Sequence, residues 1–258
     1  MTARVRRGLF GGAVVALALS VGGCGQSTSG AAASAGTGTT TAVTTTTSAA
    51  PLPTTGSAQC AYTATPDQPA PAGHQVGIPP NTAPRAGTVS VTLHTSQGDI
   101  PITMPRAKAP CTVASFAYLA GKNYFNSTPC HRLTSADSLK VLQCGDPTGS
   151  GTGGPGYTIP DENPTDLPTA GGGASRYARG TVAMANTGQP HSGGSQFFLV
   201  YADSQLPPNY AVFGTVGATG LQVLDKIAAA GVGSGGQGPQ DGPPSTPVTI
   251  TSATASAG

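Results

Sequence analysis

The residue types best suited to chemistry gather in Ser192-Gly193-Gly194-Ser195-Gln196-Phe197-Phe198-Leu199-Val200. Two glycines followed by an amide and two aromatics fit a strand that enters a sheet from a tight turn, with Gln196 at the rim of an apolar surface. Taken alone, the stretch also fits a buried edge of a β-rich domain. Other polar clusters lead nowhere. Gly149 to Gly156 is glycine-rich, but no Lys-Ser/Thr pair follows and no helix starts there, which excludes a phosphate loop. Asp161, Glu162 and Asp166 lack the spacing of a calcium loop. His131, His191 and the cysteines lack that of a zinc site. Neither metal nor cofactor is expected.

The elements that must hold such a site occupy only part of the 258 residues. With 38 Gly, 24 Pro, no Trp and 9% charged residues, the composition suits one folded domain carrying a long polar extension. Net charge is +2, and with Arg4, Arg6 and Arg7 set aside the acids outnumber the bases by one. No basic run with interleaved aromatics occurs, so nucleic acid is not an expected partner.

Those three arginines precede an apolar run, Leu9 to Val21. It is shorter than the roughly 20 residues of a spanning helix, and residues 1–23 read as a secretory signal peptide. Val21-Gly22-Gly23-Cys24 resembles the bacterial lipobox, in which the cysteine is acylated. That resemblance predicts a lipid anchor on Cys24 at the extracytoplasmic face of the cell membrane, with more than one acyl chain. Plain secretion is the alternative. Residues 24–57 are Ser, Thr, Ala and Gly with few aliphatic side chains, too little apolar area to offset backbone entropy, so they read as a disordered tether. Residues 58–86 form a proline-rich arm. Pro66, Pro69, Pro71, Pro79 and Pro80 exclude a regular helix or central strand, and Cys60 is a point where the arm could be pinned.

The folded domain is expected over 87–252, with 253–258 a flexible tail. Val89, Val91 and Leu93 alternate with polar residues, Ser96 to Asp99 turns, and Ile100, Ile102 and Met104 alternate on the return, which is a hairpin. Pro101 places the second strand at an edge or gives it an irregular start. Ala109 to Gly121 has the pattern of a short helix, with Pro110 near its start and Gly121 as terminator. Cys130 to Leu133 and Lys140 to Cys144 read as two short strands, and Pro160 to Gly173 as a loop. Gly180 to Asn186 and Tyr210 to Gly214 add further strands. Leu221, Leu224, Ile227 and Ala228 mark a second helix ended by Gly231, and Val248 to Thr251 a last strand. The whole is mainly β, a closed barrel capped by two α-helices.

Taken together, His131-Arg132-Leu133, Leu142 to Asp146, Gly151-Thr152-Gly153, Met184-Ala185-Asn186, Gly194 to Phe198 and Val212-Phe213-Gly214 resemble the cyclophilin family of peptidyl-prolyl isomerases, from Gly87 to Thr251. The lipobox and threonine-rich tether make the chain similar to exported actinobacterial members. The resemblance implies an eight-stranded antiparallel barrel with an active groove on its outer face. Arg132 falls at the position of the catalytic arginine. Gln143, Met184, Ala185, Asn186, Gln196, Phe198, Leu206 and Tyr210 fall at positions that bind substrate. The chain departs from the family pattern at Lys140, Val141, Gln205 and Tyr210, which implies a shallower or more polar proline pocket.

Rotation about an X-Pro bond faces a barrier of about 20 kcal/mol, because the C–N bond has partial double-bond character. No bond breaks, so neither nucleophile nor proton transfer is needed, and His131 and Tyr201 are assigned no acid–base role. The family's chemistry asks for an apolar pocket for the ring, from Phe198, Leu206 and Tyr210, with Met184 as a neighbour. It also asks for a donor to the proline nitrogen as that atom loses conjugation, which suits Arg132. A surface ion pair is the competing role for Arg132. Ala185 and Asn186 would offer main-chain groups to an extended peptide. Phe197 should point the other way, into the core. With Cys24 set aside, Cys60, Cys111, Cys130 and Cys144 allow three pairings. Cys130–Cys144 with Cys60–Cys111 is preferred, because Cys130 and Cys144 fall on adjacent strands; buried free thiols are the alternative. The expected protein is a monomeric isomerase acting on proline-containing peptides or exported clients. A low-turnover chaperone or adaptor that grips proline segments competes with it, and a wholly structural envelope protein is disfavoured.

Overall fold

The computed structural model describes residues 55–257. The expected signal peptide, Cys24 and nearly all of the expected tether lie outside the described residues. In chain order the first elements are β1 (Ser57–Gln59), β2 (Thr63–Ala64), β3 (Thr82–Pro84), β4 (Thr88–Thr95), β5 (Gly98–Pro105), α1 (Pro110–Gly121), β6 (Thr128–Pro129), β7 (Arg132–Thr134) and β8 (Val141–Cys144). There follow β9 (Tyr157–Thr158), β10 (Thr169–Gly171), β11 (Ala174–Tyr177), β12 (Thr181–Met184), β13 (Phe197–Val200), β14 (Ser204–Leu206), β15 (Val212–Val216), α2 (Ala218–Ala230), β16 (Asp241–Gly242) and β17 (Thr249–Ala257).

The main sheet runs β16-β7-β8-β13-β12-β15-β5-β4-β17-β6, and every pairing in it is antiparallel. β6 and β7 are near neighbours in the chain yet stand near opposite ends of this order, so the sheet must curl. The result is a curled half-barrel of ten strands, where eight were expected. Pro129 at the β6 edge has no N–H, and the next donor, Cys130 N–H, is spent on Val248 O at 2.8 Å.

The predicted hairpin is β4–β5, in register from Thr88↔Pro105 to Thr95↔Gly98. Val89, Val91, Leu93, Ile100, Ile102 and Met104 all face inward and are buried. Of the two readings of Pro101 the edge strand fails, since β5 lies inside the sheet between β4 and β15, whereas its start is irregular on the β15 side. Pro101 is tolerated there because its nitrogen faces the point where β15 has already left the sheet. The β15 pairing stops at Val216↔Ile102, and Gly217 N–H then donates to Pro101 O. Nor are residues 253–257 a free tail: Ala253↔Leu93 through Ala257↔Val89 extend β17 along β4. Thr169–Gly171, expected in a loop, forms β10 beside β11 and β14 in a separate three-stranded sheet.

Both helices form where the punctuation places them. Pro110 sits in the first turn of α1, where its missing N–H costs nothing. Ala109 has no side-chain oxygen to cap that end. Glu162 serves instead, its carboxylate accepting from Cys111 N–H (3.0 Å), Thr112 N–H (2.8 Å) and the Thr112 hydroxyl (2.7 Å). Burial pushes the Glu162 carboxyl above its ordinary pKa, a rise only partly offset by these bonds. α2 ends at Gly231, whose φ of 84° suits glycine. The core centres on Phe116, whose ring lies 4.9–5.0 Å from those of Phe125, Phe197 and Phe213.

The proline-rich arm lies on the domain and is pinned. Disulfides join Cys60 to Cys111 on α1 and Cys130 to Cys144, the pairing preferred above. β2 pairs with β9, the Tyr62 hydroxyl donates to Cys111 O at 2.8 Å, and Ala70 joins the main core.

Candidate active site

Adjacent strands β7 and β8 place Arg132 opposite Gln143. β13 pairs with β8 on the far side, setting Phe198 opposite Gln143, with Gln196 just before the strand begins. One line of polar contacts results. Arg132 Nε and Nη2 donate to the two oxygens of Asp241 at 2.7 and 2.8 Å, and Arg132 Nη1 donates to Gln143 Oε1 at 3.0 Å. Gln143 Nε2 then donates to Gln196 Oε1 at 2.9 Å. Gln196 Nε2 in turn reaches the carbonyls of Gly151 (2.9 Å) and Gly153 (3.0 Å). Hydrogen bonding to Asp241 raises the Arg132 pKa, and that from Arg132 lowers the pKa of Asp241, so the pair stays ionised. The surface ion pair weighed against a functional role for Arg132 therefore exists, and it orients the guanidinium.

The glycine-rich loop supplies the last two carbonyls, and a fully buried carboxylate holds it. Asp146 accepts from the N–H groups of Thr148, Gly151 and Gly153 at 2.8, 2.7 and 3.1 Å, and from the Thr148 hydroxyl at 2.7 Å. Burial pushes its pKa up, but these bonds outweigh it and hold the carboxyl below its ordinary value. Gly153 must be glycine, because a Cβ there would sit 2.1 Å from Asp146 Oδ1.

Beside Arg132 lies a cavity of about 220 Å³, lined by Leu139, Val141, Phe198, Leu206 and Tyr210, with Gln143, Ala185 and Asn186. Its apolar wall belongs to a second cluster on the outer face of the sheet, separate from the main core. Phe198 and Tyr210 meet edge to face at 5.5 Å. Beneath them the Tyr177 hydroxyl donates to the carbonyls of Pro207 and Tyr210, and burial pushes its pKa up to about 12. Phe197 points into the main core, as strand alternation requires.

Seven of the nine predicted site residues line this cavity: Arg132, Gln143, Ala185, Asn186, Phe198, Leu206 and Tyr210. Gln196 lines the adjoining groove. Met184 does neither. It stands opposite Phe197, is 3% exposed and belongs to the main core, because Ala183 and Ala185 take the outward positions of that strand. Ala185 N–H is also unavailable to a peptide, since it donates to Gln196 O at 2.9 Å. Of the four departures from the family pattern, Val141 and Tyr210 line the cavity, whereas Lys140 and Gln205 do not. Sequence reasoning missed Asp241, Tyr177 and the loop-holding role of Asp146. Asp241 lies 109 residues from Arg132 in a glycine-rich stretch, with no local pattern to mark it.

Residues 90–255 match the family model described as cyclophilin type peptidyl-prolyl cis-trans isomerase/CLD. A probable peptidyl-prolyl cis-trans isomerase B of Mycobacterium leprae is 54% identical over 184 residues, 67% of this chain and 61% of that protein. Its namesake in Mycobacterium tuberculosis is 48% identical over 206 residues, 76% of this chain and 63% of that protein. The chain thus spans about three fifths of the length of these curated relatives. A peptidyl-prolyl cis-trans isomerase of Helicobacter pylori is 37% identical, the match covering 55% of this chain and 82% of that one. Among solved structures, a cyclophilin type isomerase of Cryptosporidium parvum superposes with a TM-score of 0.53 at 25% identity, covering 66% of this chain and 99% of that one.

Proposed function

The chain belongs to the cyclophilin type peptidyl-prolyl cis-trans isomerase family, and on that premise we propose that it accelerates rotation about X-Pro bonds in exported proteins. The observation that carries this reading is the apolar cavity bounded on one side by a braced arginine. A proline ring fits against Phe198, Leu206 and Tyr210. Three of the five guanidinium N–H groups of Arg132 are committed to Asp241 and Gln143, leaving two for the substrate. In the planar amide the proline nitrogen is a poor acceptor. As the bond twists its lone pair localises and Arg132 donates to it, so the bond exists mainly in the transition state and lowers the barrier. The ion pair with Asp241 holds the donors in place beforehand, without reorganisation during the turn.

The leader, the lipobox-like Val21 to Cys24 and the two disulfides support an extracytoplasmic setting, since such bonds persist in oxidising compartments. Among the described residues no helix is long and apolar enough to cross a membrane. Cys24 would carry the anchor and residues 25–57 would hold the domain away from the lipid. Intact-mass analysis of the mature protein should give a chain starting at Cys24 with acyl groups attached; an unmodified start elsewhere would overturn the anchor.

The enzyme reading is tested with the full chain and an Ala-Pro peptide, following cis–trans exchange by NMR. Exchange well above the spontaneous rate is expected. A spontaneous rate with the peptide bound would replace the enzyme with a proline-binding adaptor.

A further inference from the structure

The proline cavity adjoins a second groove of about 400 Å³, and the two share Gln143, Ala185 and Asn186 in their walls. One wall of this groove is foreign to the sheet, for Thr65 and Gln68 of the proline-rich arm line it. That wall is fixed. The Cys60–Cys111 disulfide pins the arm ahead of it, and Thr63 and Ala64 pair with Thr158 and Tyr157. Thr65 N–H donates to Gly156 O at 2.9 Å, and Ala70 is buried in the main core just beyond. Between these anchors Thr65 and Gln68 close a turn on each other: Gln68 N–H donates to Thr65 O at 2.9 Å, and the Thr65 hydroxyl donates to Gln68 O at 3.2 Å. Gln68 is thus bound through its backbone, and its exposed side-chain amide is available to a ligand.

Arg132 addresses the proline nitrogen, the atom bonded to the preceding residue, and Arg132 is itself bonded to Gln143, which borders both spaces. The segment before the proline therefore lies on the side of the second groove. Among the described residues no Asp, Glu, Lys or Arg side chain lines that groove; its polar groups are hydroxyls, amides and main-chain atoms. We propose that the arm is a specificity element, with Gln68 and Thr65 selecting substrates that carry an uncharged hydrogen-bonding side chain shortly before the proline. This rests on the isomerase reading and adds to it which peptides the site prefers.

The test uses the full chain and peptides in which each of the two residues before proline is Ala, Asn, Ser or Lys in turn. The parent should favour Asn or Ser over Ala at one position by about three- to tenfold in kcat/KM, the difference lying in KM because a remote contact binds ground and transition states alike. Gln68→Ala should bring that ratio close to one. Gln68→Glu should raise the Lys-to-Ala ratio several-fold at the same position, an effect that fades with added salt. This gain cannot come from a misfolded variant. Ratios unchanged in both variants, with isomerisation intact, would overturn the role of the arm. Absence of isomerisation on every peptide in the parent would overturn the isomerase reading instead.

Discussion

Truncating Arg132 to alanine is the sharpest perturbation of the proposed mechanism. Its guanidinium spends three donors on Asp241 and Gln143, so the substrate meets one or two of those remaining. A hydrogen bond from a charged donor contributes about 1.5–3 kcal/mol net. At 1.36 kcal/mol per decade, that predicts a loss of about 10- to 150-fold. The loss should fall on kcat, because the proline nitrogen accepts well only when twisted. Folding should suffer little: Asp241 is 29% exposed, so water can reach the carboxylate that is left behind, and a cost of about 1 kcal/mol or less is expected. Arg132→Lys keeps the charge but replaces a rigid fork with a point donor that cannot serve Asp241, Gln143 and substrate together, so it should recover little of the rate. The assay is NMR exchange or protease-coupled isomerisation at several peptide concentrations, with a thermal melt on each variant. A folded Arg132→Ala protein within threefold of the parent would refute the argument, as would a loss confined to KM.

Four further outcomes follow from the same geometry. Asp241→Asn removes the charge that braces Arg132 while keeping its shape, and should lower kcat by about tenfold, as expected for loss of one charge-assisted contact; an unchanged kcat would mean that Arg132 needs no brace. Lys140→Ala should change kcat/KM by less than about threefold, because Lys140 is outside the lining, and its ion pair with Asp137, at 4.0 Å and open to solvent, is weak. Replacing Cys60 and Cys111 with serine opens a link between residues 51 apart, which the chain-entropy relation values at about 4 kcal/mol; urea unfolding that shows a cost below about 1 kcal/mol would show the arm to be held by its other contacts. Asp146 supplies an acid limit. Its folded pKa lies below the ordinary 3.8, so its stabilisation is full above that value and is lost as pH falls through the lower folded value. Urea midpoints should therefore drop below about pH 4, and Asp146→Asn should flatten that part of the curve.

What the sequence determined was local. Alternation in Val89–Leu93 and Ile100–Met104 specifies strands with one buried face, and Pro110 and Gly231 mark where helices begin and end. The same alternation puts Phe197 and Phe198 on opposite faces, and it held the information that Met184, paired with Phe197, faces the core. Periodicity is written into each segment by the side chains themselves, so it can be read without knowing the fold. Only the tertiary structure decided what meets across the chain. The curl of the sheet brings β16 beside β7 and gives Arg132 its carboxylate partner. The β8–β13 pairing joins Gln143 to Gln196, and the pinned arm delivers Gln68 to the second groove. It also turns Lys140 and Gln205 away from the proline cavity, contrary to what their positions implied. Such partners leave no periodic trace, because a contact between residues 109 apart depends on how every strand between them is twisted and paired.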